Sequence, residues 1–360
     1  MPESLLAIGG VTLESVARKA GVSVSTVSRA LTRPDRVAKD TRESVLEAAK
    51  EMGYAPNQLA RSLRQRGSRT IGLIISDIQV QFHGEVAKGV EDTAQAHGYT
   101  TILCNSDEDG AKEKTYLELL KGFRVGGLIL EPTEAGVKNT EALVRSGVPV
   151  VEVDRISGAQ GVTSVLSENA EGAMLAAQYL LQLGHTKIGV IAGDQKLTSG
   201  RERLQGFRNA LAHHGLSVPT EWIKYSPYTK EDGERAALEL LNEPTQPTAW
   251  FVVSSVLTVG VLQALRTRNI RIPQQISLIG FDDAHWASLT NPPLTVIAQS
   301  SYALGQRAAE IILEHLDAGK SRAIKSTSSI VRLPTRLIER ESCAREIGRA
   351  SCRERVLMPV

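Results

Sequence analysis

The sequence predicts a small all-α helix-turn-helix head with a hinge helix, followed by a larger α/β body of two lobes, each built on a parallel, doubly wound sheet. Three observations predict it. Two short amphipathic segments flank Gly21 near the N-terminus, the arrangement of a helix-turn-helix unit. From Ile71 onward strands alternate with helices, and the alternation runs through twice. Charge is uneven as well. Residues 1–70 carry 12 Lys and Arg against 7 Asp and Glu, a net of +5, whereas the whole chain of 360 residues carries only +2. A basic head on a mildly acidic body fits a polyanion-binding module joined to a receptor.

In the head, Leu13, Val16, Ala17 and Ala20 recur at helical spacing behind Thr12, whose hydroxyl is suited to cap the first turn. Gly21 ends this helix and Val22 fills the corner. Ser23 caps a second helix, 24–31, with Val27, Ala30 and Leu31 facing inward and Val24, Ser25, Ser28 and Arg29 facing out. A third helix, 40–52, capped by Asp40 or Thr41, supplies Val45, Leu46, Ala48, Ala49 and Met52 to close a small core. The spacing alone is also compatible with a helical hairpin that binds nothing. The polar outer face with Arg29 favours DNA, because the second helix of such a unit enters the major groove. Residues 54–69 follow as a hinge and linker. The basic stretch Asn57–Arg64 has room for two helical turns behind Pro56 and exposes Leu59 and Leu63. Alone it is too short to be stable, so it should order only against a partner.

In the body the expected order is strand 71–76, helix 82–97, strand 100–105, helix 111–124, strand 127–130, helix 139–146 and strand 149–153. The second run is helix 169–183, strand 187–192, helix 201–214, a strand near 222–225, helix 230–242, strand 249–253, helix 256–268 and strand 276–281, with a last helix at 300–316. Ligands bind such sheets beyond the carboxyl ends of their strands. Asp154 and Arg155 follow Val153, Asp282 follows Phe281, and Arg203 lies just inside the helix that begins near Ser199. A carboxylate and a guanidinium facing one cleft suit a polyhydroxyl ligand through paired hydrogen bonds. Each is equally compatible with a loop salt bridge or a helix cap.

Several classes are excluded or left without support. Cys104, Cys343 and Cys352 form no CxxC pair and no metal-ligand spacing, which fits a reducing compartment. The chain shows no secretory leader and no apolar run long enough to span a membrane, so a cytoplasmic location is expected. Walker, HExxH, GxSxG and EF-hand patterns are absent. No catalytic residue, cofactor or metal site is expected.

Thr12-Leu13, Val16-Ala17, Ala20-Gly21-Val22-Ser23 and Thr26-Val27-Ser28-Arg29 stand ahead of Gly53-Tyr54, Pro56-Asn57 and Ala60-Arg61-Ser62-Leu63. Further on come Thr70-Ile71-Gly72-Leu73-Ile74, Leu183-Gly184-His185, Ile279-Gly280-Phe281-Asp282-Asp283 and Leu333-Pro334-Thr335-Arg336-Leu337. In this combination the chain closely resembles the lactose-repressor (LacI/GalR) family over residues 11–343. The resemblance implies a helix-turn-helix domain at 11–53, a hinge at 54–69 and an effector-binding and dimerisation domain at 70–343 similar to periplasmic sugar-binding proteins. Its lobes would be 70–167 plus 298–326, and 168–297 plus 327–343.

The resemblance also implies roles. Val24, Ser25 and Arg29 would read bases, Arg29 by a bidentate contact to guanine. Thr12, Ser23, Thr26 and Ser28 complete the expected contacts of the head. Leu63 would wedge into the minor groove from a hinge helix that also carries Asn57 and Ala60. The partners would be a near-palindromic double-stranded operator, a second copy of the chain with higher assembly left open, and a small-molecule effector, a sugar or sugar derivative. Phe82, His83, Asp154, Ser199, Arg203, Tyr228, Ser254 and Asp282 would line the effector cleft, with Asp282 and Arg203 foremost. Two departures stand out: Ser254-Ser255 occupies the place of the commoner Asn-Asp, and Gln81-Phe82-His83 that of Pro-aromatic-aromatic. The competing readings are a sugar receptor without a regulatory role and a sugar-processing enzyme. Residues 344–360 have no apolar periodicity and resemble a read-through of sequencing-adapter DNA, so a non-native, functionless tail is expected there.

Overall fold

The computed structural model describes residues 11–54, 68–134, 136–318 and 328–346. The chain divides into two compact units between Ser68 and Arg69.

The head holds helices α1 (Leu13–Ala20), α2 (Val24–Thr32) and α3 (Lys39–Glu51). Thr12 Oγ1 accepts from the Ser15 amide at 3.3 Å and Ser15 Oγ accepts from the Thr12 amide at 2.9 Å, a reciprocal cap. Gly21 closes α1 at φ 65°, where a side chain would be strained. Ser23 Oγ then accepts from the Thr26 amide at 3.1 Å and starts α2. Val16, Ala17, Val27, Ala30, Val45, Ala48 and Ala49 are buried together as one core. Two expectations need correction. Helix α3 starts at Lys39 with Ala38 at the cap position and no side-chain cap, so Asp40 and Thr41 lie inside its first turn. Leu46 is 46% exposed, because it falls off the Val45–Ala48–Ala49 stripe. The hinge positions Asn57, Ala60 and Leu63 lie outside the described residues.

The body has two six-stranded sheets. The first contains β1 (Thr70–Ile75), β2 (Thr100–Asn105), β3 (Gly127–Leu130), β4 (Val150–Val153), β5 (Thr163–Ser167) and β11 (Ser329–Leu333), in the order β11-β5-β4-β3-β1-β2. The second contains β6 (Ile188–Ala192), β7 (Ile223–Tyr225), β8 (Ala249–Val252), β9 (Ser277–Phe281), β10 (Thr295–Ala298) and β12 (Arg336–Ile338), in the order β12-β10-β9-β8-β6-β7. The helices are α4 (Gln81–Ala96), α5 (Gly110–Gly122), α6 (Gly136–Arg145), α7 (Asn169–Gln182), α8 (Thr198–Ala212), α9 (Lys230–Leu241), α10 (Ser255–Thr267) and α11 (Ser301–Ala318). Alternate residues of β1 serve opposite faces: Ile71, Leu73 and Ile75 join one core, Ile74 the other. Burial on both faces explains why these strands read as unbroken apolar runs. Helices α4 and α11 cross closely enough that a Cβ on Gly89 would stand 2.1 Å from Tyr302 O, and one on Gly305 2.0 Å from Val86 O.

Three expectations for the body need correction. Strand β11 was expected in the second lobe. It extends the first sheet instead, parallel to β5 with Val331 opposite Val165, so the third crossing falls at Pro334-Thr335 rather than at residue 326. The second sheet is not wholly parallel, because β12 runs antiparallel to β10. Ala344 to Glu346 were assigned to a non-native tail, yet they are held in the second lobe. The Ala344 amide donates to Ser277 Oγ at 3.0 Å and the Glu346 amide to Leu183 O at 2.9 Å. Residues 347–360 lie outside the described residues.

Candidate functional site

On the head, Val24 is 38% exposed, and Ser25 and Arg29 are exposed beside it on α2. Arg29 Nε donates to Ser25 O at 3.1 Å and Nη2 to Ser25 Oγ at 3.3 Å, which lays the guanidinium back along the first turn. Thr12 and Ser23 act as helix caps, and Thr26 and Ser28 are half-buried on the same helix. The head therefore offers a basic, polar helix face whose opposite side is fixed in the core.

The body holds a cavity of about 350 Å³ between its lobes. All eight residues expected there line it: Phe82, His83 and Asp154 from the first lobe, and Ser199, Arg203, Tyr228, Ser254 and Asp282 from the second. The two sheets deliver equivalent aspartates. Asp154 follows β4 and Asp282 follows β9, at φ 65° and 77°. The Asp154 amide donates to Val165 O on β5 at 2.9 Å, and the Asp282 amide to Ile297 O on β10 at 2.8 Å. Asp tolerates this left-handed conformation better than most residues, and the turn aims each carboxylate beyond the sheet edge.

The wall of the first lobe is a cluster of charges around Glu131, which is 1% exposed. Ser76 donates to it twice, through its amide at 3.0 Å and its hydroxyl at 2.9 Å. His83 Nδ1 lies 2.9 Å from Glu131 Oε2, and Arg155 Nη2 lies 3.4 Å from Oε1. Burial alone would raise the Glu131 pKa, but the charges of His83 and Arg155 outweigh it and pull the carboxyl down to about 2. Burial likewise opposes the charge on His83, and Glu131 overcomes it, so the imidazole pKa is raised. Arg155 also forms a two-point pair with Glu108 at 2.6 and 2.7 Å. Asp154 is pushed up to about 6 by burial and by the neighbouring charge of Glu131, against the pull of Arg155 and Arg203.

The wall of the second lobe is held differently. Arg203 Nε donates to Asn169 Oδ1 at 2.8 Å and Nη1 to Val253 O at 2.7 Å, with the guanidinium 3.8 Å over the Phe281 ring. Asp282 Oδ2 accepts from the Ser255 amide at 3.0 Å, and Oδ1 accepts from Gln299 Nε2 at 2.5 Å. Ser254 lines the cavity but also caps α10 through the Leu257 amide. Tyr228 reaches the cavity because two glycines make room. A Cβ on Gly193 would stand 2.1 Å from its Oη, and one on Gly200 3.0 Å. Gln81 bridges the lobes: its Oε1 accepts from the His285 amide at 2.7 Å. A Lys196–Glu134 pair at 2.9 Å spans the mouth as well.

Sequence reasoning missed Glu131, Ser76, Glu108 and Gln299. Glu131 and Ser76 directly follow β3 and β1, so the strand-end rule that found Asp154 and Asp282 would have found them too. Gln299 directly follows β10 in the same way, but no strand was expected there, and Glu108 sits on a connection and carries no such signal.

Residues 12–57 match the family model described as bacterial regulatory proteins of the lacI family, and residues 177–343 match a periplasmic binding protein-like domain. The HTH-type transcriptional repressor PurR of Haemophilus influenzae (strain PittEE) is 34% identical over 331 residues, covering 91% of this chain and 98% of that protein. Among solved structures, the Lac repressor dimer bound to operator and the anti-inducer ONPF is 27% identical at a TM-score of 0.79, covering 93% of this chain and 99% of that one. The transcriptional regulator CelR in complex with cellobiose is 30% identical at a TM-score of 0.69, covering 92% and 99%. With a DNA-binding helix-turn-helix, a two-lobed ligand domain and a repressor relative of matching length, the chain belongs to the LacI family of bacterial transcription regulators.

Proposed function

We propose that this chain is a cytoplasmic, homodimeric repressor whose affinity for a near-palindromic operator is set by a sugar or sugar derivative bound between the lobes. One observation carries the reading. A head with Val24, Ser25 and Arg29 exposed on its second helix is joined in one chain to a cavity lined by Asp154, Arg203 and Asp282 from both lobes. The solved relatives support it, one being a dimer on operator DNA and another a cellobiose complex. In this reading Thr12, Ser23, Thr26 and Ser28 position the head on the backbone, Asn57, Ala60 and Leu63 act from the hinge, and the eight cavity residues hold the effector.

An enzymatic reading has one point of contact, since Ser76, His83 and Glu131 are the residue types of a hydrolytic triad. The wiring opposes it. Ser76 Oγ donates its proton straight to Glu131 Oε1, and Glu131 favours the doubly protonated His83, whose ring then has no lone pair for the serine proton. Non-enzymatic sensing is the reading retained.

The test is fluorescence anisotropy with DNA from upstream of the gene, titrated across salt. Affinity should fall steeply with salt, and Arg29→Ala should cost about 1–3 kcal/mol on the operator while changing non-specific binding little. An unchanged operator affinity in Arg29→Ala would refute the assignment of α2 as the reading helix.

A further inference from the structure

The chain passes between the lobes three times: after β5, after β10, and between β11 and β12. One ion pair fastens two of these crossings. Arg332 on β11 stands opposite Leu166 on β5, just ahead of the third crossing. Its Nη2 donates to Glu202 Oε1 at 2.6 Å and its Nη1 to Glu202 Oε2 at 3.0 Å. Nη1 also donates to Ser167 O at 3.2 Å, at the end of β5 where the first crossing begins. Glu202 belongs to α8 of the second lobe. One guanidinium thus holds two strands of the first sheet and a helix of the other lobe. Neither Arg332 nor Glu202 lines the cavity.

The same carboxylate is joined to the ligand side through a single residue. Asn169 opens α7 and is fully buried. Its Nδ2 donates to Glu202 Oε2 at 3.4 Å, and its Oδ1 accepts from Arg203 Nε at 2.8 Å. Glu202 and Arg203 are neighbours on α8, one turned to the crossings and the other to the cavity, and Asn169 touches both. A two-point pair fixes orientation as well as distance. A change of lobe angle moves α8 relative to β11 and therefore loosens the pair. With side chains 28% and 21% exposed, Arg332 and Glu202 are also partly shielded from water, which strengthens their attraction.

We propose that the Glu202–Arg332 pair is a clasp that holds the two lobes at the angle seen here, and that Asn169 connects it to Arg203, so that a group bound to Arg203 acts on the lobe angle. Glu202 and Arg332 are positioning residues. The clasp stands on geometry alone, and only its connection to Arg203 rests on the effector reading above.

Two amides report the lobe angle directly, because their acceptors lie on the opposite lobe. The Ile156 amide donates to Thr198 Oγ1 at 3.3 Å, and the His285 amide to Gln81 Oε1 at 2.7 Å. The test is hydrogen exchange of the full chain without ligand, read at single amides by mass spectrometry. Glu202→Ala and Arg332→Met should each speed exchange at Ile156 and His285 about three- to tenfold. The amides of β3 and β8, each inside one lobe, should not change. The double variant should do no more than either single one. Arg203→Met should speed the same two amides, and should add nothing in the Glu202→Ala background. Unchanged exchange at Ile156 and His285, or an equal acceleration in β3 and β8, overturns the clasp. Additive effects of Glu202→Ala and Arg332→Met overturn the pairing. An Arg203→Met effect that keeps its full size in Glu202→Ala overturns the connection through Asn169. Since no ligand is present, each of these results leaves the effector reading standing.

Discussion

The two walls of the cleft face the same ligand space and are built on opposite principles. The first-lobe wall is a chain of charges, Glu108–Arg155–Glu131–His83, of which Arg155, Glu131 and His83 are buried and only Glu108 is exposed, so that each buried ion is tolerated because its neighbour neutralises it. The second-lobe wall fixes the Arg203 cation with neutral acceptors and an aromatic face. The comparison teaches that equal burial does not mean equal fragility. Removing one ion from the first wall strands its partners in a poorly solvated space, and that costs more than the pair itself contributed. Removing the cation from the second wall strands only a carbonyl and an amide oxygen, a smaller loss.

Three measurements break or sharpen that contrast. The largest effect is expected for Glu131→Gln, which keeps the shape of the side chain but leaves Arg155 and His83 short of their counter-ion. Urea unfolding should show a loss of about 3–5 kcal/mol. Arg203→Met should cost about 1–3 kcal/mol in the same assay, since a flexible apolar chain can stay over Phe281 while Asn169 and Val253 O lose their donor. Equal losses for the two variants would collapse the distinction between the walls.

The smallest effect is on pH dependence, and it belongs to the first wall alone. Glu131 is lowered from 4.5 to about 2, so its stabilisation is complete above pH 4.5 and is lost as pH falls toward 2. His83 is raised above 6.5, so its contribution is complete below pH 6.5 and is lost as pH climbs through the raised value. Asp154 runs the other way. Its carboxyl is pushed up from 3.8 to about 6, so rising pH across that window erodes stability, while any ligand donating to the carboxylate binds more tightly. Glu131→Gln should flatten the stability profile above pH 6.5, whereas Arg203→Met should leave it in place.

Much of the fold was legible because most elements carry their own periodicity. Helix α7 begins at Asn169 and β3 spans Gly127–Leu130, both where the pattern placed them. Four strands were not legible: β5, β10, β11 and β12. Each has three to five residues, and their identity depends on pairing. Strand β11 pairs with β5 across more than 160 residues of chain, and no local pattern reports such a partner. These are the segments that carry the chain between lobes, so the third crossing was misplaced along with them. At the site, Asp154 and Asp282 were legible as carboxylates at strand ends. Glu131 was not singled out, and its importance comes from His83 and Arg155, which lie 48 and 24 positions away in the chain and meet it only in space.

By itself the sequence determined the helix-turn-helix, the two βα runs and the set of side chains available to the cleft, because caps, glycines and apolar periodicity act within a few residues. Only the tertiary structure decided which charges neutralise one another, which groups hold Arg203, and that Asp154 Oδ1 has no hydrogen-bond partner among the described residues. Those properties depend on distances of 2.6 to 3.4 Å between residues distant in the chain, and at such separations in a desolvated space a shift of one ångström changes which group carries the charge.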